Sequence, residues 1–247
     1  MNKKDFQNGY ALGMASGGVV EVKDKEAEEL FMCITQANQL FHSAKSFPTK
    51  AVVNLPNATN VFQAFAYWNT EPIPIVEELT VTAPNIDVTN AQYCMGQMFM
   101  NNRGVKKVTL NMSDESKYTN STFTNASMLE EIVLNFSKKN IIQYNSTFSG
   151  CSALKKIVGV LDFSSATNTT NTFLNCSALQ EITFAKETLS ISLSLAQSSK
   201  LTAESVQSII DGLATVETAQ TLTLNKAIAL TDEQKDTIKN KGWTLVQ

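Results

Sequence analysis

Three segments of the chain repeat one skeleton at a fixed distance. FTNASMLEEI begins at Phe123, FSGCSALKKI at Phe148 and FLNCSALQEI at Phe173. Leu129, Leu154 and Leu179 keep the same 25-residue spacing as the three Phe, and so do Ile132, Ile157 and Ile182. One register therefore fits three units without a gap. A unit this short cannot bury an apolar face alone, so a period of this size indicates stacking. Side by side, the units set each short strand roughly 4.8 Å from the next and align their Phe, Leu and Ile into continuous ladders. Thr, Ser and Asn in LDFSSATNTTNTF supply turns and hydrogen bonds between rungs. The Phe is expected to enter from a short helical or 3₁₀ turn on the far side of the core.

The frame extends toward the N-terminus. Phe99, Val105, Val108 and Leu110 match Phe123, Leu129, Ile132 and Leu134 at a spacing of 24. Val76, Leu79 and Val81 lie 29 residues before Val105, Val108 and Leu110. Val53 and Leu55, 26 before Leu79 and Val81, read as a first, irregular unit. After Phe184 the period blurs, although LSISLSL and TLTLN still alternate as strands do.

The LxxLxL frame at this period is that of leucine-rich repeats. The skeleton at Phe148, Cys151, Leu154 and Ile157, repeated at Phe173, Cys176, Leu179 and Ile182, resembles the BspA-type leucine-rich repeats of bacterial surface proteins. LDFSSATNTTNTF is similar to the 25-residue variety of related surface proteins. The resemblance is good over residues 120–185 and weaker over 50–119. It departs at Ala126, where Cys is expected, and at Gly159, where an apolar strand residue is expected. It implies an α/β solenoid, a leucine-rich repeat stack of about 25-residue units with short parallel strands and with helical N- and C-terminal caps.

An open stack needs caps, because its last rungs expose apolar edges. Thr202 is placed to cap a helix carrying Val206, Ile209, Ile210 and Leu213 on one face. Thr231 and Gln234 form a capping box for a second helix, with Asp232 and Glu233 at its start and Lys239 and Lys241 at its end. Gly242 suits the left-handed exit, and WTLV closes with a strand that lays Trp243 over the core. Residues 24–43 read as a helix with Ala27, Leu30, Phe31, Ile34 and Leu40 near one face. The chain thus divides into an arm and capping helix (1–45), the solenoid (46–200) and a helix–strand cap (201–247). Residues 1–23 are Gly-rich and apolar, do not fit the repeat, and suit a flexible anchor, an oligomerisation strand or an arm that docks into a larger assembly. The opening NGYALGMASGG and the ending LTDEQK…KGW resemble phage and prophage tail-associated proteins.

The chain offers little for catalysis. Its one histidine, His42, lies nine positions after Cys33, poorly placed for a Cys–His pair on one helix. A metal site needs several His, Cys or carboxylates that converge, and no CxxC is present. ASGG lacks the Lys-Ser/Thr of a phosphate loop. No cofactor is expected. Cys151 and Cys176 read as layered, buried thiols rather than a disulfide. Asn-x-Ser/Thr triplets at Asn120, Asn145 and Asn168 follow from an Asn/Thr-rich repeat and give no reason to infer glycans. A net charge of −3 with no basic block argues against nucleic acid. No apolar run approaches the ~18 residues of a membrane span. Asp5, Gln7 and Asn8 follow Lys3 and Lys4 too closely for a signal peptide.

Two surfaces are candidates for binding. The strands expose Thr80, Thr109, Val133, Val158 and Thr183, a flat threonine-rich strip. Tyr67 and Trp68 adjoin a proline-bearing insertion, where the two rings either pack under it or serve in sugar stacking or protein anchoring, as aromatics on loops do. A third pattern concerns assembly. Glu77 and Glu78 are followed in the frame by Lys106 and Lys107, Glu130 and Glu131, Lys155 and Lys156, then Gln180 and Glu181. Alternating signs turn rung-to-rung repulsion into a ladder of opposite charges. Glu130 or Glu131 is thus expected within ion-pair reach of Lys106, Lys107, Lys155 or Lys156.

These features point to a non-enzymatic adhesion or receptor-binding module of a bacterial surface or a phage tail. Its partner would be a protein or glycan on a cell surface, and its place extracellular, on the cell surface or in a virion. The alternatives are a structural subunit or spacer of a phage particle and, third, a carbohydrate hydrolase.

Overall fold

The computed structural model describes residues 28–31, 37, 39–44, 46–67, 73–87 and 95–247. The chain winds as a parallel β-solenoid of about seven turns. Its front sheet holds β1 (Glu28–Phe31), β2 (Lys50–Asn54), β3 (Glu78–Ala83), β4 (Lys107–Met112), β5 (Glu131–Leu134), β6 (Lys156–Leu161) and β7 (Glu181–Phe184). They lie side by side in chain order. β2–β5 and β7 alternate inward apolar and outward polar or β-branched residues, as in KVTLNM of β4. The inward residues meet in register: Leu79 with Val108, Val108 with Ile132, Ile132 with Ile157. The first unit is set differently from the spacing expected of it. Val53 pairs with Val81 and Ala51 with Leu79, which places Leu55 beyond the strand.

Across the core, the chain returns through turns whose within-rung bonds span three residues, as in a 3₁₀ turn, rather than through a short helix. Five returns carry two left-handed residues four apart, Gln39 and Ser43, Gln97 and Asn101, Ser121 and Asn125, Ser146 and Gly150, and Asn171 and Asn175, with φ between 55° and 77°. This conformation explains the Asn, Ser and Gly at these places, and it forbids a continuous helix. Alternate N–H groups stay within the rung, as Thr122 N–H to Thr119 O and Thr124 N–H to Ser121 O. The others reach the next rung, as Ser121 N–H to Asn145 O and Phe123 N–H to Thr147 O. The turns are thereby tied to one another along the stack by backbone bonds.

The turns deliver one Phe per rung. Phe41, Phe65, Phe99, Phe123, Phe148 and Phe173 stack with centroids 5.0–5.9 Å apart and planes within 19° of parallel. Beside them run buried polar columns. The Thr147 and Thr172 hydroxyls each lie 2.8–3.0 Å from one carbonyl of their own rung and one of the rung before, and share their single proton between the two. The Cys151 and Cys176 thiols donate to the carbonyls of Phe123 and Phe148. The Cys of the motif is therefore a small buried donor, and Asn102 plays the same part toward Phe65 O.

The helix expected over 24–43 is not what forms in its described part. Residues 28–31 are β1, paired in parallel with β2, and 39–43 are turns. Pairing with a neighbouring strand overrides a weak helical pattern. The rest of that span, the arm at 1–23 and Trp68 lie outside the described residues.

Beyond Phe184 the layers exchange. Helix α1 (Ala203–Gly212) takes the place in front where another strand would lie, and strands move to the back. β8 (Leu193–Leu195), β9 (Gln220–Leu224) and β10 (Trp243–Val246) form a second parallel sheet, with α2 (Asp232–Asn240) beside α1. α1 closes the edge of β7: Ile182 and Phe184 N–H donate to the Ser205 and Ser208 hydroxyls at 3.0 and 2.9 Å. Thr202 caps α1, and Thr231 with Gln234 forms a capping box on α2. Lys241 donates to three carbonyls at the end of α1, those of Ile210, Asp211 and Leu213. Trp243 is buried and its indole N–H donates to Ala214 O. One apolar cluster runs through both sheets, from Ala37 to Trp243.

Candidate binding surface

The outward residues of the front sheet form three rows. The first is charged. Lys50 meets Glu78 at 3.4 Å, Lys107 meets Glu131 at 2.9 Å and Lys156 meets Glu181 at 2.5 Å. One residue earlier in the frame, Glu77 meets Lys106 at 2.8 Å and Glu130 meets Lys155 at 2.5 Å. The two columns interleave, so each step from the second to the seventh rung is crossed by one ion pair. The Lys155 ammonium, by hydrogen bond and by charge, holds the Glu130 carboxyl below its ordinary range. Lys106 and Lys156 are held above theirs by hydrogen bonds to Glu77 and Glu181.

The second row is β-branched. Val52, Thr80, Thr109, Val133 and Val158 lie directly abreast. Thr183 does not follow Val158: β6 shifts register, and Thr183 opposes Val160. The bulge sits at Gly159, with φ 110°, where a Cβ would meet Leu134 O at 2.8 Å. The shift turns Val160 outward, 47% exposed. It also ends the pairing of β5 with β6 at Val133, before Leu134. Lys138, 8% exposed, reaches Leu134 O at 3.0 Å and Phe136 O at 2.5 Å, and sits over the Phe136 ring. Burial draws this ammonium below its ordinary value, against the pull of Asp114 and Asp162. The third row is amide-rich: Asn135 donates to Asn111, which donates to Thr82.

Tyr67 is not available to a ligand. It is 5% exposed and its hydroxyl donates to Ala44 O at 2.9 Å. The surface legible in the sequence omits two features. One is Val160, signalled only by the Gly159 departure. The other is an open groove of about 610 Å³ between β7 and α1, lined by Thr183, Phe184, Lys186, Glu204, Gln207 and Asp211. Gln234 donates to Gln207 and Gln207 to Asp211, which fixes that wall.

The groups with catalytic chemistry are dispersed. His42 is half-buried, and burial lowers its pKa. Burial drives the Cys151 thiol well above its ordinary value and Cys176 to about 12, so both stay protonated as donors. Among the described residues no three His, Cys, Asp or Glu converge on a metal site, and no helix is long and apolar enough to cross a membrane. Because the charged row is internally paired, the face presents its apolar and amide rows with little long-range electrostatic field. Comparison with known proteins finds no matching family model, curated protein or solved structure.

Proposed function

We propose that the chain is a non-enzymatic binding module, a leucine-rich repeat of BspA type that attaches to a protein or glycan on a cell surface. The units are read as leucine-rich repeats because Phe148, Cys151, Leu154 and Ile157 recur 25 residues on at Phe173, Cys176, Leu179 and Ile182. The observation that carries the binding reading is the front face. Its strands present aligned side chains over consecutive rungs, with charges already paired and an apolar step at Val133, Val158 and Val160 running to the groove at α1. Rigid faces lose little conformational entropy on binding. A module of this kind works on a bacterial surface or a virion.

The test is a glycan array and a whole-cell pull-down with the 247-residue chain and with Val158→Lys, whose side chain is half-exposed. Retention by one class of cell or glycan, lost in Val158→Lys, supports the reading. Silence across both panels sinks it, and so does hydrolytic turnover that Glu130→Gln abolishes.

A further inference from the structure

The exchange of layers makes a step in the front face. Past β7 the next element in front is α1 and not another strand. A helix with its side chains is roughly 10–12 Å across, so it stands proud of a sheet whose strands lie roughly 4.8 Å apart. The groove between Thr183 and α1 is that step. Its volume of about 610 Å³ lies within the roughly 300–1,000 Å³ of small-molecule sites.

α1 turns one face to the groove. Glu204, Gln207, Ser208 and Asp211 are spaced i, i+3, i+4 and i+7, and all four line it. Phe184 and Ala203 add apolar surface. The amide wall is held in place, because Gln234 donates to Gln207 at 3.0 Å and Gln207 to Asp211 at 2.7 Å. Ser208 is occupied by the Phe184 N–H. Three lining side chains carry formal charges that nothing neutralises. Lys186, Glu204 and Asp211 make no ion pair among the described residues, unlike the neighbouring Glu181, which Lys156 engages.

These three charges differ in sign, and that selects the ligand. A cation drawn to Glu204 and Asp211 meets Lys186, and an anion drawn to Lys186 meets the two carboxylates. A hydroxyl both donates and accepts, so it serves either. A carboxylate takes its proton, while the ammonium and the second N–H of Gln207 donate to its lone pairs. The apolar surface between these groups suits the C–H face of a sugar ring. Glu204 and Asp211 lie about 10 Å apart along α1, which is room for more than a monosaccharide. We propose that this groove binds a neutral oligosaccharide, with Lys186, Glu204, Gln207 and Asp211 on its hydroxyls. The proposal rests on the reading of the front face as a binding surface and narrows it to one ligand class at one place.

Titration with neutral tetrasaccharides of glucose, galactose, mannose and N-acetylglucosamine, followed by amide chemical shifts, tests it, with tetralysine and tetraglutamate as charged rivals. At least one tetrasaccharide should shift the amides of Thr183, Gln207 and Asp211 and leave those of Thr80 and Thr109 unmoved. Gln207→Ala and Asp211→Ala, at exposed and half-exposed positions, should each weaken binding about tenfold. The same spectra report whether each variant keeps the fold. Tighter binding of either charged peptide overturns the proposal, and so do saccharide shifts that survive both substitutions. It also fails if no tetrasaccharide moves these amides. The wider reading survives that result when cells still retain the chain and Val158→Lys releases it, and falls separately when they do not.

Discussion

In the seven-stranded stack the front layer is strand and the back layer is turn; beyond Phe184 the front is helix and the back is strand. The inward apolar column continues through the exchange, from Phe173 and Ile182 to Leu193, Ile209 and Leu222. What persists is a buried column at each rung, and local chemistry decides the backbone that delivers it. β-Branched outward residues and left-handed Asn, Ser or Gly make strand and turn. AESVQSIIDG behind a capping Thr makes a helix. The rungs are also tied differently, by interleaved ion pairs and amide columns in the stack, and by serine hydroxyls and the Lys241 ammonium beyond it.

The sharpest way to break this comparison is to ask whether the two regions unfold together. Phe123→Ala, in mid-stack and 1% exposed, empties a site between two parallel rings. It should cost about 3–5 kcal/mol, and Leu222→Ala in the second sheet about 2–5 kcal/mol. If the column is one core, each variant, made in a Trp68→Phe background, shifts a single urea transition followed by both far-ultraviolet circular dichroism and Trp243 fluorescence. Two transitions, each moved by only one substitution, would show that exchanging the layers divides the molecule.

The irregular rung should be the next most sensitive. Lys138→Met leaves the carbonyls of Leu134 and Phe136 buried without their donor, at about 2–4 kcal/mol. Lys138 has a folded pKa below its ordinary 10.5. The unfolded chain therefore holds this proton more tightly, and wild-type stability gains from this group as pH rises from the folded value through the unfolded one. Lys138→Met should lack that gain. A Met variant as stable as wild type, with the same alkaline profile, would remove Lys138 from this role.

The stack is legible in the sequence wherever the spacing is regular. Ile132, Ile157 and Ile182, the Phe column and the alternation of Glu and Lys are read directly from positions 24 or 25 apart. The rest depends on contacts between rungs that no local pattern carries. The pairing of Val53 with Val81 follows from a loop of irregular length. Residues 28–31 match a helical period as well as a strand, and only β2 decides between them. Tyr67 reads equally as a packed ring and as a binding aromatic, and only the bond from its hydroxyl to Ala44 O decides. Gly159 is visible as a departure, but its consequence is spread over Leu134, Lys138, Val160 and Thr183. The exchange of layers shows in the sequence as loss of period, which does not say where each layer goes.

A smaller effect probes the junction itself. Ser205→Ala with Ser208→Ala strips the Ile182 and Phe184 N–H groups of their acceptors, at about 1–2 kcal/mol for each site. The amides of Ile182 and Phe184 should lose protection from exchange before those of Ile132. Equal loss along the whole sheet would mean that α1 does not close the edge locally.

The smallest effect separates the two ways of tying rungs. Glu130 is exposed and bonded to Lys155, with Lys106 adding attraction. Glu130→Lys sets three ammonium groups together and should cost about 0.5–1 kcal/mol at low salt. Added salt should shrink that cost, because exposed charges are screened. Glu217→Lys, at an exposed carboxylate with no ion pair among the described residues, should cost less. The acid limb gives an independent reading. The folded pKa of Glu130 lies below its ordinary 4.5, so its contribution is complete above the unfolded value and is lost as pH falls through the folded one. Glu130→Gln should therefore flatten wild-type stability on that limb alone. If Glu130→Lys and Glu217→Lys cost the same at every salt concentration, the interleaved pairs do not tie the rungs. The stack would then be held, like the helical layer, by its core and hydrogen bonds.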